Sequence, residues 1–102
     1  MATNSGYFEY IREQLSELSG VSYRKMMGEY IIYYRDRIVG GMYDDRLLVK
    51  PTKSVCALMP DASLELPYEG AKEMLLVENT EDRDFLKKLF DILAEELPQR
   101  KK

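Results

Sequence analysis

The sequence predicts an α+β fold of two layers. An antiparallel sheet, made of a four-stranded meander plus a short extra strand, is flanked by N- and C-terminal helices. Three observations predict it. Apolar residues recur at three- and four-residue spacing near both ends of the chain. Between them, residues 21–50 are dense in Val, Ile and Tyr and are cut at regular intervals by short polar pairs. The 102 residues are 45% apolar and 32% charged, enough for one hydrophobic core.

Residues 7–18 read as a helix, because Phe8, Ile11, Leu15 and Leu18 form one stripe. Asn4 or Ser5 is the candidate cap, and Gly20 the stop. Four strands follow at 21–27, 30–34, 38–43 and 46–50, with turns at Gly28-Glu29, Asp36-Arg37 and Asp44-Asp45. Gly40-Gly41, inside the third strand, predicts a bulge or a close approach of backbone. Pro51 or Thr52 opens a short helix that Pro60 closes. Residues 60–73 read mostly as loop, and the apolar run 74–77 as the extra strand. Thr80 is the expected cap of the last helix, 80–97, whose stripe is Leu86, Leu89, Phe90, Leu93 and Leu97. Glu81, Asp82 and Asp84 suit the positive end of its dipole.

Composition narrows the chemistry. The chain has no histidine, which removes Ser-His-Asp and Cys-His catalysis and His-ligated zinc. Its one cysteine, Cys56, excludes an intramolecular disulfide, and its expected place is the core. No window has the ~20 apolar residues of a membrane span, and the N-terminus has no charged region followed by an apolar run. The expected location is the cytoplasm. Net charge is −3, yet Arg100, Lys101 and Lys102 form a basic end to an otherwise acidic chain, which argues against a nucleic-acid footprint.

The meander reads Arg24-Lys25-Met26-Met27-Gly28-Glu29-Tyr30, then Tyr33-Tyr34-Arg35-Asp36-Arg37, then Asp45-Arg46-Leu47-Leu48-Val49-Lys50. This resembles the N-terminal domain of the TfoX (Sxy) family of bacterial competence regulators. There, Arg-x-Met-Phe-Gly-Gly-Tyr precedes a hairpin with an Asp-Gly turn and a strand reading Arg-Leu-Tyr-Leu-Lys. The first helix, Tyr68 after Pro67, the 74–77 strand and the last helix follow in the family's order, so the resemblance spans residues 7–97. Met27 stands for the family's Phe, Glu29 for its second Gly, Ile31 for the Gly after the Tyr, and Arg37 for the hairpin Gly. Losing glycines predicts turns of a different local shape. The resemblance implies a helix-flanked, secretion-chaperone-like domain at 7–98, with a basic tail at 99–102. Longer members carry a second, C-terminal domain and act in switching on DNA-uptake genes; this chain ends before one would begin. The implied role is a non-enzymatic regulatory module, transcriptional or competence-related.

Candidate binding residues are Arg24, Lys25, Tyr30 and Lys50, with Lys53 near them if the strands pair as read. Cations beside tyrosines can hold a small anion or stack on bases; the plainer alternative is solvated charge on a sheet that favours tyrosine anyway. Tyr30-Ile31-Ile32-Tyr33-Tyr34 is apolar or aromatic at every position, so both faces of that strand are apolar. Helices cover one face; the other calls for a loop or a second chain. Glu65 with Glu69, and the acidic residues at the last helix start, show no spacing that builds a catalytic or Mg²⁺ site. The expected partner is therefore another protein or a second copy, with nucleic acid the second reading. No membrane partner, cofactor, metal or catalytic residue is expected.

Overall fold

The structure is a computed structural model and describes residues 3–98; the basic tail expected at 99–102 lies outside the described residues. Asn4 sets the start of the first helix, α1 (Ser5–Gln14), by accepting from the Gly6 amide at 2.7 Å. The helix thus begins and ends earlier than the apolar stripe suggests. Leu15 and Leu18 complete the stripe from the turns that follow, Leu15 buried and Leu18 half-buried.

The meander is β1 (Val21–Met26), β2 (Glu29–Tyr34), β3 (Arg37–Met42) and β4 (Leu47–Val49). Its two-residue turns fall at Met27-Gly28, Arg35-Asp36 and Asp44-Asp45, and all six residues have positive φ. Positive φ at both positions matches the right-handed twist of the strands. Two turns therefore sit one residue earlier than the polar pairs suggest. Pairing Met26 with Glu29 and Tyr34 with Arg37 is what keeps Tyr30, Ile32 and Tyr34 on one face. Five of the six turn positions carry a side chain in the left-handed region, which strains the turns, whereas the glycines lost at Glu29, Ile31 and Arg37 fall inside β2 and β3.

After the meander come α2 (Lys53–Leu58), capped by Thr52, then β5 (Leu64–Glu65), β6 (Met74–Val77) and α3 (Arg83–Glu96). The cap of α3 is Asp82, not Thr80; its carboxylate accepts from the Phe85 amide at 3.0 Å. Thr80 instead meets α1, its hydroxyl 3.2 Å from the Tyr10 hydroxyl and its carbonyl accepting from Gln14 at 2.8 Å.

All strands join one antiparallel six-stranded sheet in the order β1-β2-β3-β4-β6-β5. The sixth strand is β5, two residues inside the segment read as loop. Ile11, Leu15, Ile32, Tyr34, Val39, Val49, Leu86, Leu89 and Phe90 are among the residues of one core on the helix-covered face. Each fully buried aliphatic side chain there contributes ~1.5–3 kcal/mol. Gly40 explains the tightest packing. The register shifts after Ile32, so Val39 is an extra residue directed into the core. A Cβ on Gly40 would strike the Leu48 carbonyl and lie 2.9 Å from the Val49 Cα.

Candidate functional site

Side-chain alternation separates the two leading candidates. Lys25 lies opposite Tyr30 on the helix-covered face, and Arg24 lies opposite Ile31 on the far face. Both are exposed, and neither forms an ion pair with a described residue. Tyr30 is claimed by packing: the Phe8 ring stacks on it at 4.0 Å and 13°. Lys50 follows β4, three strands from β1, which at ~4.8 Å per strand is roughly 14 Å away. Lys53 opens α2 beyond it. The fold thus brings Lys25 and Tyr30 together as register partners but does not gather the four residues into one patch.

What it builds around Arg24 and Lys25 is an open sheet edge. β1 is one of the two edge strands and runs six residues, against two for β5 at the other edge. Met26 and Glu29 close a two-residue turn, so they exchange hydrogen bonds, and the pattern alternates from there. The N–H and C=O groups of Met26, Arg24 and Ser22 point inward to β2. Those of Val21, Tyr23 and Lys25 point outward, with no partner among the described residues.

A groove of about 320 Å³ runs beside this edge on the helix-covered side. Val21 and Tyr23 form its sheet wall; Arg12, Glu13, Leu15 and Leu18 form the wall contributed by α1 and its exit. Phe8 meets Tyr23 edge-on at 5.4 Å, fixing the ring. Burial pushes the Tyr23 hydroxyl up to about 12, against the nearby Arg12 charge. Arg12 itself pairs with Glu9 at 2.8 Å, and Glu13 with Arg83 at 3.3 Å. The tip of the β1–β2 hairpin exposes Met26 (44%) and Met27 (96%). The α1 side of this groove is what sequence reasoning missed. Its only signal is that Arg12 and Glu13 lie off the apolar stripe, and that does not reveal which strand they overhang.

The far face has a cover of its own. Leu48 and Tyr33 are buried there, outside the main core. Tyr43 lies over Gly41, its ring 2.7 Å from where a Cβ would stand, and its ring centre is 6.3 Å from that of Tyr68. Arg46 fastens the covering loop, donating to the Glu65 carboxylate and to the Leu66 and Tyr43 carbonyls. The loop thus lies over part of this face, against Tyr43 and Arg46. Ile31, Ile38, Met74 and Leu76 remain half-buried.

The remaining sequence candidates are structural. Glu65 answers Arg46, and Asp82 caps α3. Among the described residues no group of three or more His, Cys, Asp or Glu is placed to hold a metal ion. Cys56, expected in the core, is exposed on α2, because Val55 is the residue that helix buries. No helix among the described residues is long and apolar enough to cross a membrane. Asp91 of α3 is a perturbed carboxylate that bridges elements. It accepts from the Tyr34 hydroxyl at 2.9 Å and lies 3.2 Å from the Lys87 ammonium, and these bonds outweigh burial and hold it below its ordinary value. The Tyr34–Asp91 pair ties α3 to β2 rather than facing a ligand.

The chain is similar to an uncharacterized 12.7 kDa protein in the trpE 5′ region of Spirochaeta aurantia. The two are 29% identical over 102 residues, covering 99% of this chain and 89% of that one. No solved structure matches it. The family model of the TfoX N-terminal domain matches residues 13–89, from the end of α1 to the middle of α3. The chain therefore belongs to the TfoX N-terminal domain family.

Proposed function

We propose that this domain is a non-enzymatic regulatory module of the bacterial cytoplasm that acts through protein–protein contacts. The observation that carries the reading is the β1 edge: six residues long, with outward backbone groups at Val21, Tyr23 and Lys25 and a groove alongside. An open edge beside a helix accepts an extended segment by adding a strand. Backbone bonds then give affinity, and the groove reads alternate side chains. The regulatory setting comes from the family resemblance. The dispersal of Arg24, Lys25 and Lys50 supplies no concentrated charge for nucleic acid, which prefers a basic patch.

The test is affinity capture from bacterial lysate, with and without nuclease, using the wild-type domain and Lys25→Pro. The proline removes an outward N–H without touching the β1–β2 ladder. Proteins retained after nuclease by the wild type and lost by Lys25→Pro are the expected result. Capture that ignores the edge substitution would overturn the reading. Material lost on nuclease treatment would move the assignment to nucleic acid.

A further inference from the structure

We infer that β1 pairs with β1 of a second copy, in antiparallel register centred on Tyr23, to give a continuous twelve-stranded sheet. This rests on the reading of β1 as the interaction edge and names its occupant. Twofold symmetry about an axis normal to the sheet keeps the helix-covered faces on one side. Only residues of like parity can then oppose each other. Three registers use the outward groups of β1. Centring on Arg24 opposes two guanidinium groups, which is repulsive. Centring on Ser22 leaves the Lys25 backbone unpaired. Centring on Tyr23 pairs Val21 with Lys25 of the second copy, Tyr23 with its own equivalent, and Lys25 with Val21. Every outward N–H and C=O of the strand is then satisfied.

The side chains fit the same register. Arg24 faces Ser22 of the second copy on the far side, so no cation meets a cation. On the helix-covered side, Lys25 of the second copy arrives opposite Val21, which lines the groove. Its aliphatic stem meets Val21 and Leu18, and its ammonium reaches the exposed carboxylates of Glu9 and Glu13, each of which has one cation beside it, Arg12 and Arg83 respectively. Charged residues on an outer strand ordinarily discourage edge pairing. Here they exclude the Arg24-centred register and admit the one that completes the ladder.

The experiment uses the full chain with Cys56→Ser, to remove the exposed thiol. Ser22→Cys and Arg24→Cys are made singly and mixed under mild oxidation. The proposed register makes residues 22 and 24 a non-hydrogen-bonded pair, with Cα atoms ~4.5 Å apart, within disulfide range. The expected product is a 22–24 linked heterodimer exceeding either homodimer. The wild type should show twice the monomer mass in light scattering, and Lys25→Pro should weaken that dimer about thirtyfold, two inter-chain bonds being lost per dimer. A wild type that stays monomeric with no 22–24 link, a different cross-link register, or a dimer indifferent to Lys25→Pro would each overturn the inference. Edge-dependent capture from lysate by a monomeric wild type would overturn the second copy alone and leave the interaction edge standing. Edge-independent capture would remove both.

Discussion

Adding one methyl group at Gly40 tests whether the third strand is built on close backbone approach. In Gly40→Ala the new Cβ meets the Leu48 carbonyl oxygen, the Val49 Cα at 2.9 Å and the Leu48 carbonyl carbon at 3.1 Å. All three belong to the backbone of β4, which is itself held between β3 and β6. No side chain can rotate away, so the strands must part at the bulge that sends Val39 into the core. Overpacking normally costs ~1–3 kcal/mol, and a clash with ladder backbone belongs at or above the top of that range. A domain of this size has about 5–15 kcal/mol in total. A loss of ~3 kcal/mol lowers Tm by roughly 12–24 °C. Gly70→Ala is the control. Its φ is +87° with nothing within 4 Å of an added Cβ, so only left-handed strain of ~1–2 kcal/mol applies. Urea unfolding followed by circular dichroism measures both. If Gly40→Ala is no more destabilising than Gly70→Ala, the close-approach argument is wrong.

Three further outcomes follow from the geometry. Met27 is almost fully exposed at φ 52° and precedes Gly28, so Met27→Asn creates the preferred dipeptide for this turn and should raise stability by about 0.5–1 kcal/mol in urea unfolding. Tyr34→Phe removes the hydroxyl that donates to Asp91 and should cost ~1–2 kcal/mol at neutral pH. Because the folded state holds the Asp91 carboxyl below its ordinary value of 3.8, that stabilisation is present above 3.8 and fades as pH falls, so the gap between wild type and Tyr34→Phe should narrow in acid. At the alkaline end, burial pushes the Tyr7 and Tyr23 hydroxyls from 10.0 up to about 12. Their contribution is whole below pH 10 and lost as pH rises toward 12. Absorbance at the tyrosinate band should therefore show late-titrating tyrosines, and thermal stability should fall across that interval.

Local pattern alone determined much of this protein. The stripes Phe8–Ile11–Leu15 and Leu86–Leu89–Phe90–Leu93 require helices with one buried face. The spacing of polar pairs in 21–50 requires a meander, and Gly40-Gly41 announces the tight crossing. The family pattern is legible for the same reason, since its motif residues are those that form the strands and turns. Other features belong to tertiary structure. The 74–77 run reads as a strand from its own residues, yet nothing local says that it lies between β4 and β5. Such neighbours are chosen by long-range packing after a loop has closed. Arg24 and Lys25 look like one basic pair in sequence, but the strand period of two sends them to opposite faces, and Phe8 claims Tyr30. Periodicity tells which side chains must leave water. Which surface receives them, and which strand is left at the edge with its backbone unpaired, is decided only when the layers meet.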